Sequence, residues 1–293
     1  MLRRTRPWGV RKHEDARGES DAPAAYLPVF GYVSPPMRRL PLLALLLAIA
    51  CAGPHVSLSG ELKYGKTAED DYKAGVEEAQ GKHYEEAARF FERVKTKYPF
   101  SKYAALSELR LADIKFDQDR FVEAADAYAQ FLKLHPSHEQ ADYAAFRVGL
   151  AHWRDGPNDF MLFPPSYEKD LVAVREALKT LDEFLKKYPD SKYRPEAEKM
   201  AKQARARLAE HEWYVAEFYA KRGHWAGAAA RLENLLREYP GTGRDVDALL
   251  ALAQAYLKLD ERYRAQQALQ QLIVKHPQDP RRPQAEKLLA SLR

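Results

Sequence analysis

The chain contains very little cysteine and glycine. One cysteine among 293 residues excludes an internal disulfide and a zinc site built on cysteines. Fourteen glycines leave little room for a sheet with many tight turns. No nucleophile elbow, P-loop or Rossmann glycine pattern is present, and His211-Glu212 lacks the second histidine of a zinc-protease motif. We therefore predict a protein that is not an enzyme, with no catalytic residues, no metal site and no bound cofactor.

An apolar run near the N-terminus is too short to span a bilayer. Leu40 to Ala50 is eleven residues, and a spanning helix needs about 20. The run follows Arg38 and Arg39 and ends at Cys51, an order typical of a secretory signal. A lone cysteine there resembles a bacterial lipobox, in which the peptide is cut before the cysteine and the cysteine carries the lipid. We predict a lipoprotein signal peptide over 37–50 and lipid attachment at Cys51; the alternative is a buried helix with an incidental cysteine.

Two irregular segments flank this signal. Residues 1–36 are rich in Arg, Pro, Gly and Ala without periodicity, and we interpret them as a mis-annotated extension upstream of a true start at Met37. Residues 51–66 are predicted to be the lipidated cysteine and a flexible tether, which would reach roughly 50 Å when extended. Residues 1–50 hold eight of the 47 Lys and Arg and four of the 42 Asp and Glu, so the remainder carries only +1. This balance argues against nucleic acid as a partner.

The body of the chain, from residue 67 onward, is a helical repeat. Apolar residues recur every three to four positions, and prolines break the pattern at Pro99, Pro136, Pro189, Pro240 and Pro277. If each proline is position 32 of a 34-residue unit, position 20 is always alanine and position 24 is always large. The alanines are Ala87, Ala124, Ala177, Ala228 and Ala265, and the large residues are Phe91, Tyr128, Leu181, Leu232 and Leu269.

A small residue one helical turn from a large one lets two helices approach closely. The pattern resembles the tetratricopeptide repeat. It predicts an all-α fold: a right-handed superhelical array of five helix pairs, with an enlarged third unit. Residues 155–168 would form an inserted loop with an apolar apex at 160–163, and 195–222 a 28-residue helix of about 42 Å joining units three and four. We assign units one to three to 67–194 and units four and five to 195–293.

The first helices of units one to three are predicted to line a concave, mostly apolar face. Such a face suits an extended or helical peptide with aromatic side chains; the alternative is that these residues belong partly to the core. The predicted peptide groove consists of Tyr72, Val76, Leu106, Leu109, Phe116, Tyr143, Phe146, Leu150 and Trp153.

Several segments resemble one family. Tyr98–Tyr103 and Tyr188–Tyr193 share the pattern Tyr-Pro-x-Ser-Lys-Tyr, and the stretch Leu208–Gly223, followed by Trp225 and by the run Ala230-Arg231-Leu232-Glu233, is the most specific. With the lipobox and the enlarged third unit, these segments are similar to the BamD family of lipoproteins in the outer-membrane β-barrel assembly (BAM) machinery.

The resemblance implies a lipid-anchored scaffold on the periplasmic face of a Gram-negative outer membrane. Its implied partners are a POTRA domain of the barrel subunit BamA, other BAM lipoproteins and unfolded outer-membrane proteins. Arg231, Trp225 and Trp213 would lie on the BamA side, with Arg231 exposed, either in the interface or merely solvated near Glu233 or Glu238. The alternative functions are a periplasmic repeat adaptor in cell-wall synthesis or division, and an accessory to a cell-wall enzyme.

Overall fold

The computed structural model describes residues 62–157 and 165–292. Over this range the regular structure is helical, with eleven α-helices and one short 3₁₀ turn at Ser166–Glu168. The helices are α1 (Ala68–Gln80), α2 (Tyr84–Lys97), α3 (Lys102–Asp117), α4 (Phe121–Leu134), α5 (Ala141–Asp155), α6 (Val172–Lys187), α7 (Arg194–Lys221), α8 (Trp225–Glu238), α9 (Asp245–Lys258), α10 (Arg262–Lys275) and α11 (Arg282–Ser291). The predicted extension, signal peptide, Cys51 and loop apex lie outside the described residues.

Each helix packs against the next along the chain, as an array of helix pairs requires. The predicted repeat phase is confirmed, because all five alanines at position 20 have no exposed surface. The five large residues at position 24 are buried beside them. The two helices of a unit approach each other closely. Position 8 of the first helix is glycine in two units, and a Cβ added at Gly149 would lie only 2.7 Å from the side chain of Leu181.

Helix ends follow the local sequence. Thr67 caps α1 by accepting a hydrogen bond from the backbone N–H of Asp70, whose side chain bonds back to the cap. The second helix of each unit ends at the Tyr or His before proline, where Tyr98, for example, donates its N–H to the carbonyl of Val94. Proline then prevents continuation, since it lacks the N–H and clashes with the preceding turn.

The long helix α7 matches its prediction: it runs for 28 residues from Arg194 to Lys221. The start of the inserted loop is confirmed, since α5 stops at Asp155, but the loop extends past its predicted end at residue 168 because α6 starts only at Val172. Part of the insertion packs on α7, where the ring nitrogen Nδ1 of His211 lies 2.5 Å from the carbonyl oxygen of Tyr167.

Two features differ from the sequence expectations. A final helix, α11, packs on α10 through buried Ala285 and Leu289 and covers the end of unit five, as terminal repeats require. The predicted flexible tether is fixed to unit one over its last residues. The N–H of Gly65 donates to Oδ1 of the buried Asp71 at 2.6 Å, and the Tyr98 hydroxyl donates to the carbonyl of Lys66 at 3.1 Å.

Candidate partner-binding surfaces

The face of units one to three that the sequence predicts to be concave centres on a carboxylate. Asp113 accepts hydrogen bonds from the hydroxyls of Tyr128 and Tyr143 at 2.6 and 2.7 Å and from Nη1 of Arg110 at 2.6 Å. Only 14% of its side chain is exposed. These donors come from α3, α4 and α5, so the carboxylate joins two successive units.

Arginine 147 on α5 completes the network. Its Nε donates to the Tyr128 hydroxyl at 2.8 Å, and its guanidinium lies 3.8 Å from the ring centroid of Phe116. Burial, together with the charge of Asp113, raises the pKa of Tyr128 and Tyr143 above the usual value near 10. Both hydroxyls therefore remain protonated donors at physiological pH.

A second arginine extends the network to unit one. Nε of Arg110 donates to the hydroxyl of Tyr72 at 3.2 Å. Burial works against the charge of Arg110, but the Tyr72 hydrogen bond and the Asp113 carboxylate outweigh it and raise its pKa. Beside these groups lies an open cavity of about 590 Å³, lined partly by Tyr72, Val76, Tyr143 and Arg147.

The structure corrects the predicted apolar groove in two ways: its lining includes charged side chains, and two of its predicted residues are buried. Leu109 has no exposed surface and packs with Tyr128 in the core, and Phe146 is 3% exposed and stacks on Tyr193 with ring centroids 5.0 Å apart. These two residues cannot contact a partner. The other predicted residues are half-buried: Tyr72, Val76, Leu106, Phe116, Tyr143, Leu150 and Trp153.

The groove prediction left out polar side chains that line the cavity. Arg110 and Arg147 were not among the candidates because neither lies on the helical positions assigned to the concave face. Their long side chains nevertheless lie along the cavity and turn an expected apolar groove into a mixed aromatic and charged one. The available signal was a tyrosine followed by an arginine on the same helix, as in Tyr103 and Arg110 on α3 and Tyr143 and Arg147 on α5.

In the C-terminal half, Arg231 has a different neighbour from the one expected. Its Nη1 lies 3.3 Å from Oε2 of Glu212 on α7, and the Glu212 side chain is only 6% exposed. The sequence placed this guanidinium away from the partner helix, free or near Glu233 or Glu238; that placement is wrong. Arg231 is the counter-ion of a buried carboxylate, although 43% of its side chain remains exposed.

The two tryptophans of the predicted BamA side are partly buried against the core of units four and five. The guanidinium of Arg244 lies 5.2 Å from the ring centroid of Trp213, and it also forms a bidentate pair with Glu210, both bonds being 2.7 Å. Lys258 approaches Trp225, with Nζ 6.0 Å from the ring centroid. Each half-buried tryptophan therefore has a cation over its ring.

The described part of the chain holds neither a cluster of metal-binding side chains nor a membrane-spanning helix. No group of three or more His, Cys, Asp or Glu side chains there is placed to hold a metal ion. No helix within residues 62–157 and 165–292 combines the length and hydropathy needed to cross a membrane.

The helix pairs and the open surfaces define a helical-repeat protein of the tetratricopeptide class. The family described as YfiO, outer membrane lipoprotein, matches residues 65–272. The chain belongs to this family, as the sequence resemblance predicted.

Curated relatives with similar sequences share one description, "Outer membrane protein assembly factor BamD". The Neisseria meningitidis serogroup B protein is 28% identical over 81% of this chain and 90% of its own length. The Xylella fastidiosa (strain 9a5c) protein is 27% identical over 82% of this chain and 83% of its own length. Among solved structures, the TPR2AB domain of yeast Sti1 covers 77% of this chain and 86% of its own at 15% identity, with a TM-score of 0.37.

Proposed function

We propose that this chain is an assembly factor for outer-membrane β-barrel proteins and acts as a scaffold without catalysis. The observation that carries the proposal is the similarity to assembly factors over 81% of this chain and 90% of the relative's length. That similarity favours barrel assembly over an adaptor in cell-wall synthesis or division. An affinity pull-down of the detergent-solubilised protein tests it: BamA in the eluate supports the proposal, and its absence overturns it.

The protein would be held at the periplasmic face of the outer membrane by lipid on Cys51. Because one acyl chain binds a membrane only marginally, a stable anchor needs several chains. Cys51→Ser should therefore abolish acylation and release the protein from the outer-membrane fraction, or trap it as a precursor. A variant that still fractionates with the outer membrane after a high-salt wash would show that the lipid is not the anchor.

Docking to a POTRA domain of BamA is assigned to the C-terminal half, around Arg231, Trp225 and Trp213. One nitrogen of the Arg231 guanidinium pairs with the Glu212 carboxylate, while 43% of the Arg231 side chain stays exposed. The remaining donors of a planar guanidinium can engage a second carboxylate, which lysine cannot reproduce with the same geometry. The partly exposed tryptophan side chains supply the aromatic contacts that protein interfaces favour.

Arg231→Glu should weaken binding to the isolated BamA periplasmic region by about 2–5 kcal/mol. It should also lower the melting temperature, because two carboxylates then face each other beside the core. A double variant, Glu212→Gln with Arg231→Met, removes the internal ion pair evenly and separates these effects. If this variant melts like wild type and still binds BamA, Arg231 is not a docking residue and the docking assignment is wrong.

The concave side of units one to three would receive extended segments of unfolded barrel proteins. An unpaired strand presents free backbone N–H and C=O groups together with alternating side chains. The cavity offers matching groups, since aromatic rings of Tyr72 and Tyr143 lie beside the arginine and carboxylate network. Other BAM lipoproteins would bind elsewhere on the scaffold.

Peptide binding tests this assignment directly. A fluorescent peptide with the sequence of a barrel protein's last strand, ending in an aromatic residue, is titrated while anisotropy is recorded. Tyr72→Ala should weaken binding about tenfold, since an interface aromatic contributes about 1–2 kcal/mol. Tyr263→Ala, at an exposed tyrosine of unit five, is the matched control. Equal affinities of the two variants would exclude this cavity as the substrate site.

A further inference from the structure

The five turns that follow proline differ at one position. In four of them the residue after proline is polar or glycine, and in the first it is phenylalanine. The residues are Phe100, Ser137, Asp190, Gly241 and Gln278. An aromatic side chain at this site has no role in the repeat fold, because the other four turns form without one.

Phe100 is fully exposed, at 101% of the reference surface of the residue. Its turn has a near copy in unit three, where Asp190 occupies the same place. The N–H of Ser101 donates to the carbonyl of Tyr98 at 3.0 Å, and that of Ser191 donates to the carbonyl of Tyr188 at 3.2 Å. The two turns thus share the same backbone hydrogen bond. They differ mainly in one side chain, which is the apolar Phe100 in the first turn and the charged Asp190 in the third.

The turn with Phe100 is the one that contacts the tether. Tyr64 packs edge-on against Phe90, with centroids 5.3 Å apart, and the guanidinium of Arg93 lies 4.4 Å from the centroid of the Tyr64 ring. The Tyr98 hydroxyl donates a hydrogen bond to the carbonyl of Lys66. The described chain therefore enters unit one beside the Phe100 turn, at a fixed place.

The tether is also short. Leu62 lies eleven residue-to-residue steps after Cys51, with ten residues between them. At about 3.3–3.6 Å per residue, these steps can span at most about 40 Å. With lipid on Cys51, the surface around the tether entry stays within this distance of the membrane.

Four exposed lysines surround this entry: Lys63, Lys66, Lys97 and Lys102. None of them has an ion-pair partner among the residues that the structure describes. Lys97 and Lys102 lie over the rings of Tyr98 and Tyr103, at 5.2 and 5.1 Å from the centroids. The nearby carboxylates have other partners: Glu69 pairs with Lys73, Asp70 with the Thr67 cap, and Glu92 with Lys95.

We propose that Phe100 and these four lysines form a membrane-contact patch that rests on an anionic phospholipid surface. The proposal depends on the lipid anchor at Cys51 proposed above. The lysines attract anionic headgroups, and an exposed aromatic side chain enters the headgroup boundary. The patch adds a second attachment to the lipid and thereby fixes which side of unit one faces the membrane.

Lysine acetylation tests the patch, with unit three as an internal control. The acylated protein, which begins at Cys51, is placed on vesicles of mixed phosphatidylcholine and phosphatidylglycerol, and acetylation rates are read by mass spectrometry. Lys187 and Lys192 occupy the same places as Lys97 and Lys102 in their turn, at 5.3 and 5.0 Å from the rings of Tyr188 and Tyr193. Relative to protein in detergent, vesicles should slow acetylation of Lys97 and Lys102 about fivefold and leave the other two unchanged.

Phe100→Asp makes the first turn resemble the third and should remove most of this protection. The variant is expected to fold, since the same turn already forms around Asp190. Equal protection of the two lysine pairs on vesicles would overturn the proposal, as would undiminished protection in Phe100→Asp. If wild-type protein fails to float with vesicles, the lipid anchor itself is wrong and the patch falls with it; flotation without selective protection rejects the patch alone.

Discussion

The two halves of the repeat array are held together in different ways. Units four and five with the final helix share one continuous cluster of buried residues, mainly Leu and Ala. Among the described residues, the first three units and the start of α7 divide their buried side chains among four smaller clusters. Between units two and three, the hydrogen bonds of the Asp113 network contribute to the interface. Apolar packing tolerates exchange of similar side chains, whereas a buried polar network needs every member.

Asp113→Ala should give the largest loss of stability. It removes the ion-pair partner of Arg110 and Arg147 and the acceptor of two tyrosine hydroxyls. Breaking a buried ion pair costs about 3–5 kcal/mol. Chemical denaturation measures the loss. Gln254→Ala, at the equivalent and exposed position of unit five, should change stability by less than about 0.5 kcal/mol. Equal effects in the two variants would remove the proposed contrast between the halves.

Overpacking should affect both halves alike. Ala87→Leu and Ala228→Leu each place a large side chain where two helices touch, because both alanines are fully buried. Each substitution should cost about 1–3 kcal/mol, and the loss should reach the adjoining unit because neighbouring interfaces support each other. Melting followed by circular dichroism checks this, and an unchanged melting temperature in either variant contradicts the repeat phase.

Tyr72→Phe should have a smaller effect, confined to the edge of the network. The substitution removes the hydroxyl that accepts from Arg110 but keeps the ring. The expected cost is about 0.5–1.5 kcal/mol, the net value of one hydrogen bond. Tyr263→Phe alters an exposed hydroxyl of unit five and serves as the control in the same denaturation series. A loss no greater than that of the control would mean that the network ends at Arg110.

Asp279→Asn should have the smallest effect, and that effect should depend on pH. Hydrogen bonds from Arg281 lower the pKa of Asp279 to about 2. A depressed carboxyl pKa stabilises the fold above the unfolded value, about 4, and this stabilisation is lost as the pH falls through the folded value. The variant should therefore melt slightly below wild type at pH 7. In melting curves taken at decreasing pH, the difference should shrink between about pH 4 and pH 2; a constant difference would contradict the assignment.

The helix pairs could be predicted from sequence because their determinants are local. Alanine one turn before a large residue sets the repeat phase, and Tyr-Pro or His-Pro sets the helix ends. The absence of a breaker between Pro195 and Arg222 was sufficient to predict the length of α7. These signals act within one unit, where spacing along the chain determines spacing in space.

The candidate surfaces were predicted less well because they depend on contacts between units. Leu109 and Phe146 share a helical face with Tyr72 and Tyr143, yet neighbouring helices cover them. The pairing of Arg231 with Glu212 joins residues 19 positions apart on two helices. Helical periodicity identifies a face but not which part of it the next helix covers, so half-buried and buried positions look alike in sequence.

The continuity of α7 determines where this chain can be divided. Its first half covers unit three through Ala197, Met200 and Ala201, which pack with Phe146 and Phe184. Its second half carries Ala209 and Ala216 into the core of units four and five. A fragment ending at residue 194 would therefore expose the aromatic side chains of unit three, whereas one that extends through Leu208 retains their cover. During synthesis, likewise, the first three units can complete their core only after the first half of α7 has left the ribosome.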